Sequence, residues 1–149
     1  SLPIAASLAS TYGTVNASAL APLAPLRILL TDDNVDAANS LAMLLKKAGH
    51  EVEVAHNGAS ALEKGERSAP QVLVLDIGMP GMDGYDLCRR IRGTSWGASS
   101  YIIALTGWGQ EDDRQKALEA GFDHHMVKPV GRKELEGALA AVGRTVIAG

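Results

Sequence analysis

The apolar positions fall into short blocks separated by amphipathic stretches, and most blocks end on a residue that can do chemistry. The clearest is Val72-Leu73-Val74-Leu75, which runs into Asp76 and then a Gly- and Pro-punctuated loop closing at Gly84. A continuous apolar run of this length with turn residues behind it predicts a strand buried on both faces, although periodicity alone also allows a buried helical segment. LRILLTDDN repeats the design from Leu26 and ends on Asp32 and Asp33; YIIALT ends on Thr106; FDHHMVKPV forms a last strand ending in Lys128-Pro129. EVEVA alternates, with Val52 and Val54 on one face.

The intervening segments have a helical period. Val35, Ala38, Leu41, Ala42 and Leu45 recur after Asn34 or Asp33, either of which can cap a helix, and the pattern stops at Gly49. Asn57-Gly58 opens a shorter helix carrying Ala59 and Leu62. YDLCRRIRG sets Leu87 and Ile91 four apart, with Arg89, Arg90 and Arg92 read as a solvated face complementing the helix dipole. A polar helix over Glu111 to Ala120 and a final one from Arg132 to Val142, with Leu135, Leu139 and Val142 on one face, complete the series. Five strands alternating with five helices imply parallel pairing through right-handed crossovers, hence a three-layer α/β sandwich. Residues 1–25 carry no charge and are rich in Ala, Ser and Leu, with Pro3, Pro22 and Pro25, so they read as a linker or disordered tail before a domain spanning 26–149.

Composition narrows the class. A chain of 149 residues, 46% hydrophobic and 21% charged, suits one soluble globular domain. Its 14 basic and 17 acidic residues are intermixed and sum to −3, so no basic field points to nucleic acid and none points to a membrane surface. Cys88 is the single cysteine, which excludes an internal disulfide framework and a cysteine metal cluster and fits a reducing, cytoplasmic compartment; its expected role is a small apolar filler. Arg27 and Asp32-Asp33 interrupt the best candidate for a membrane span, and the amino terminus has no signal-peptide pattern. A start at Ser1 rather than Met suggests a fragment or a processed chain.

The chemistry lies in which residues end the strands. A parallel sheet brings all its carboxyl ends to one edge, so Asp32, Asp33, Asp76, Thr106 and Lys128 would converge there. Three packed carboxylates resist ionising together unless a cation is present, and Mg2+ is the natural one, being hard, oxygen-seeking and compatible with phosphate oxygens. Lys128 supplies positive charge and Thr106 a hydroxyl donor, so the set describes a phosphoryl-binding site with Asp76 as nucleophile. Taken singly, each residue has a plainer reading: a helix cap for Asp32 or Asp33, an end-of-strand hydroxyl for Thr106, surface charge for Lys128. His124 and His125 are adjacent on a strand and point to opposite faces, which argues against joint metal ligation. Met79 and Met82 read as loop packing.

The motifs LLTDDN, VLVLDIGMPGMDGYDL, IIALTG and HHMVKPV, in this order and spacing, resemble those of a response-regulator receiver domain of two-component signalling, over residues 26 to about 143. The resemblance implies a flavodoxin-like fold of strand order 2-1-3-4-5. It makes Asp76 the phosphoacceptor and places Asp32, Asp33, Asp76 and the Gly78 carbonyl around Mg2+. It also implies that Thr106 senses the phosphoryl group, that Lys128 is its counter-ion, and that the Lys128-Pro129 peptide is cis and helps aim the lysine. The partners it implies are a histidine kinase or its phosphorylated His domain, and a downstream phosphotransfer protein. The motifs LDIGMPGMDGYDL and GFDHHMVKPV look most like receivers of hybrid sensor kinases, and the seven residues after Val142 are too few for an effector domain. Two positions depart from the family pattern. His125 stands where a Tyr or Phe switch residue is usual, and Trp108, two after Thr106, is expected to hinder water and prolong the phosphorylated state. Two rival readings are a metal-dependent phosphohydrolase with an aspartyl-phosphate intermediate and a degenerate receiver that only binds. Gly78 counts against the first, because it offers no second acid, and the complete acceptor set counts against the second.

Overall fold

The computed structural model describes residues 25–79, 83–107 and 114–148. Five strands, β1 (Arg27–Thr31), β2 (Glu51–Ala55), β3 (Val72–Asp76), β4 (Tyr101–Thr106) and β5 (His124–Val127), alternate with five helices, α1 (Val35–Lys47), α2 (Gly58–Ser68), α3 (Gly84–Arg92), α4 (Arg114–Ala120) and α5 (Arg132–Ala148). The strands pair in parallel in the order β2-β1-β3-β4-β5. Val72 to Leu75 are fully buried, so the run is a central strand, and its ambiguity with a helix is resolved.

Alternation along each strand divides the core into two layers. Leu29, Leu73, Leu75, Ile102 and Ala104 face α2, α3 and α4, where they meet Leu87, Cys88, Ile91 and Phe122. Ile28, Leu30, Val72, Val74, Ile103 and Leu105 face α1 and α5, where they meet Ala38, Leu45, Leu135, Leu139 and Val142. Each fully buried aliphatic side chain contributes about 1.5–3 kcal/mol relative to exposure. Cys88 is buried filler, as expected, and burial pushes its thiol up to about 11.

Several local expectations change. In α1 Val35, the first helical residue, is exposed, and the buried face is Ala38, Ala42 and Leu45. In α2 the buried face is Gly58, Ala61 and Gly65, with Ala59 exposed and Leu62 only half buried. The cause is Trp96: a Cβ on Gly65 would stand 2.2 Å from its ring, so the helix offers a bare backbone where an aromatic must fit. The helix α5 continues past Val142 to Ala148, and β5 ends at Val127, leaving Lys128 in the loop beyond it.

Arg92 is not part of a solvated face. Its guanidinium donates to the carbonyls of Gly97, Ala98, Ser100 and Gly121 and pairs with the Asp123 carboxylate at 2.7 Å. Asp123 in turn accepts the N–H of Ile102, so one fork of donors ties the end of α3 to the starts of β4 and β5. Arg89 does follow the surface reading, in an exposed pair with Asp86.

The amino-terminal end of β1 is fastened by His50, whose buried Nδ1 accepts the N–H of Leu26 at 3.1 Å. The acceptor must be unprotonated, and burial lowers the imidazole pKa below 6.5. The unfolded chain therefore binds protons more readily than the folded one in this region, and stability is present above the unfolded pKa and lost as pH falls through the folded one. The melting temperature should fall as pH is lowered below about 6.5, and less steeply in His50→Asn, whose amide oxygen can accept the same N–H. Equal slopes would show that His50 does not carry this dependence.

Candidate functional site

The register sets the site. Thr31 of β1 lies opposite Leu75 of β3, so the next residues, Asp32 and Asp76, emerge side by side. Asp32 continues the Ile28, Leu30 series and Asp76 the Val72, Val74 series, which directs both carboxylates to one side of the sheet's end. With exposed Asp33 they bring three carboxylate oxygens within 4.8 Å of one another.

Each acid is held by backbone. Asp32 Oδ1 accepts the N–H of Asn34 at 3.0 Å, while Asn34 caps α1 by accepting from Ala37. The Asp32 N–H donates to Ala55 O at 3.1 Å. Asp76 Oδ1 accepts the N–H of Gly78 at 3.0 Å, whereas the family resemblance implies a role for Gly78 through its carbonyl. The loop then returns to α3, capped by Asp83, and Gly84 must be glycine because a Cβ there would stand 2.6 Å from Ile77 Cα.

Lys128 reaches this edge from the far side. Thr106 of β4 lies opposite Val127 of β5, the Lys128 N–H donates to Thr106 O at 2.7 Å, and the Lys128-Pro129 bond is cis. The ammonium sits 3.0 Å from Asp76 Oδ2 and 3.8 Å from Asp32 Oδ2. The Thr106 hydroxyl is buried and donates to Met126 O at 3.3 Å, so it faces β5 rather than the acids. His125 lies further along β5, half buried opposite Ala104, while His124 is exposed. Both line a cleft of about 360 Å³ with Ala117, Leu118, Phe122 and Asp123. Trp108 and Met82 fall outside the described residues, as do residues 1–24, most of the expected tail.

Burial is the main cause that raises the Asp32 pKa; the Asn34 N–H opposes it, and neighbouring Asp76 adds to it. Crowded oxygens of this kind fit a hard cation of the Mg2+ type, with Asp32, Asp33 and Asp76 as the side chains that could hold it. Among the described residues no other group of acids, histidines or cysteines is placed to do so. Sequence reasoning missed His56, whose Nδ1 lies 3.0 Å from Asp32 O.

The crowding makes a testable statement about the metal-free protein. Asp32→Asn keeps an oxygen for the Asn34 N–H and removes one repelling charge, so it should raise the melting temperature in chelator-treated buffer by a few degrees. A fall would mean that the acids do not repel at neutral pH.

The comparisons agree with this geometry. The family described as response regulator receiver domain matches residues 28–140. An uncharacterized 14.6 kDa protein of Leptolyngbya boryana is 42% identical over 113 residues, covering 76% of this chain and 86% of that protein. The sensory transduction protein RegX3 of Mycolicibacterium smegmatis is 38% identical over 117 residues, covering 78% of this chain and 50% of RegX3, so the chain spans about half that relative's length. Among solved structures, the chemotaxis response regulator CheY4 of Vibrio cholerae superposes with a TM-score of 0.74 at 28% identity, over 79% of this chain and 98% of that one. The signal receiver domain of a histidine kinase from Syntrophus aciditrophicus gives 0.73 at 29% identity, over 81% and 92%. Strand order, acidic edge and family match converge, and the chain belongs to the response regulator receiver domain family.

Proposed function

We propose that Asp76 is the phosphoacceptor of this receiver and that it takes its phosphoryl group from a phosphohistidine of a partner kinase or phosphotransfer domain. The observation that carries the reading is the Asp76 carboxylate at the end of β3, with the Lys128 ammonium 3.0 Å from one oxygen and the Gly78 N–H 3.0 Å from the other. In the transfer an Asp76 oxygen attacks phosphorus, the phosphorus–nitrogen bond of the donor breaks, and its imidazole leaves and takes a proton from solvent. Lys128 is placed to neutralise charge on the transferring oxygens, and the Asp76 carboxylate, held by the Gly78 N–H on one oxygen and by Lys128 on the other, needs little reorganisation to react. Mg2+ held by Asp32, Asp33 and Asp76, with the Gly78 carbonyl as a further ligand, would supply Lewis-acid charge to the phosphoryl oxygens.

The signal then passes through Thr106. Its hydroxyl is committed to Met126 O, and a phosphoryl oxygen on Asp76 offers a charged alternative acceptor, so the proposed switch exchanges a bond to β5 for a bond to the new anion. His125, on the same strand, is the proposed reporter of that change. Two features favour a hybrid sensor kinase on the cytoplasmic side of a membrane: the motif resemblance and the similarity to the Syntrophus kinase receiver. No described helix of this chain is itself long and apolar enough to cross a membrane.

Intact-mass analysis after incubation with magnesium and acetyl phosphate should give a single phosphoryl adduct on the parent, lost with chelator and lost in Asp76→Asn. An equal adduct on the variant would overturn the assignment. Multiple turnover on phosphomonoesters would instead favour a phosphohydrolase.

A further inference from the structure

We propose that His56 is a positioning residue for the acidic site: its imidazole anchors the Asp32 peptide and so holds the carboxylates together against their own repulsion. The inference rests on the proposed metal-dependent role of that site. His56 Nδ1 lies 3.0 Å from the Asp32 carbonyl oxygen, and because a carbonyl can only accept, Nδ1 carries the proton and donates. The Asp32 N–H donates to Ala55 O at 3.1 Å. Both backbone groups of Asp32 are thus tied to two consecutive residues at the end of β2, one through the main chain and one through a side chain.

The anchor itself is well fixed. Ala55, buried at 1% exposure, ends β2 just before His56, and Asn57 just after it caps α2 by accepting from Ser60 at 2.8 Å. His56 therefore occupies a one-residue link between a strand and a capped helix, with little backbone freedom. Asp32 is pressed by like charge on both sides. Its neighbours Asp33 and Asp76 bring like charge within 4.8 Å, and the Lys128 ammonium that offsets it stands nearer to Asp76, at 3.0 against 3.8 Å. Repulsion between like charges at this range favours opening of the loop between β1 and α1. The Asn34 N–H restrains the Asp32 side chain but moves with the same loop, whereas His56 belongs to a different part of the chain and resists the opening directly.

The consequence is a split between metal affinity and chemistry. Without the anchor, the metal-free protein spends more of its time with Asp32 displaced, and binding must gather the ligands first. Once magnesium is bound, it holds the acids itself, and His56 touches neither Asp76 nor Lys128 in any hydrogen bond described. The residue is exposed and belongs to neither apolar cluster, so its replacement leaves the core intact.

The test compares the parent with His56→Ala and His56→Asn by calorimetric titration of magnesium, and by the rate of phosphorylation from acetyl phosphate at saturating magnesium. The expected result is a magnesium Kd about 10-fold weaker in His56→Ala, the scale of lost outer-shell contacts, with the saturated rate within about twofold of the parent. His56→Asn should restore the affinity, because its amide nitrogen can reach the same carbonyl. Circular dichroism melting checks that the variants are folded. If the parent binds magnesium and accepts phosphate while His56→Ala matches it in Kd, or if Asn fails to rescue, the anchoring role is wrong and the phosphoacceptor reading stands. A parent that neither binds magnesium nor accepts phosphate would remove both.

Discussion

Three carboxylate oxygens within 4.8 Å of one another are the constraint around which this domain is built. Like charges at that distance separate unless the backbone behind them is rigid, and here the backbone is that of two adjacent parallel strands with no exposed residue between Val72 and Asp76. Asp32 and Asp76 are each held by a peptide N–H two residues onward, and the helices that follow are capped by Asn34 and Asp83. The buried sheet therefore does more than stabilise the fold: it keeps an electrostatically unfavourable cluster of carboxylates assembled, in an arrangement that fits a hard cation.

The same arrangement gives the site a route outward. Lys128 is bonded to Asp76 through its side chain and to Thr106 through its peptide, and Thr106 is bonded to Met126 through its hydroxyl. A charge added at Asp76 competes for the first contact and offers a new partner for the last. Both contacts end on β5 or the loop just after it, where His125 lies beside a cleft against α4. The far edge of β4 and β5 is stiffened by the Arg92 fork, so displacement is easiest at the carboxyl ends of these strands, next to the acids.

The sequence made the architecture legible because each strand is an apolar block and each functional residue sits at a block's end, so topology alone brings Asp32, Asp33, Asp76 and Lys128 together. Contacts that end on backbone atoms left no such signal. In the sequence Arg92 reads as one more surface cation because its carbonyl partners have no sequence signature, and the backbone contacts of His56 and His50 leave no trace there for the same reason. Gly65 gives no signal in α2 because a packing position filled by glycine carries no hydrophobic period; its reason is the Trp96 ring packed against it. Thr106 was placed correctly by its strand, but its hydroxyl's present partner on β5 depends on register that periodicity does not fix.

The central claim, that the acceptor is the carboxylate at the end of β3, is tested most directly by locating the acyl phosphate chemically. The protein is phosphorylated with acetyl phosphate and magnesium, reduced with borohydride, and mapped by tandem mass spectrometry, since reduction converts an aspartyl phosphate into homoserine. The account predicts homoserine at position 76 and nowhere else. Homoserine at position 32 or 33, or phosphate retained on a serine, threonine or histidine with position 76 unreduced, would contradict it.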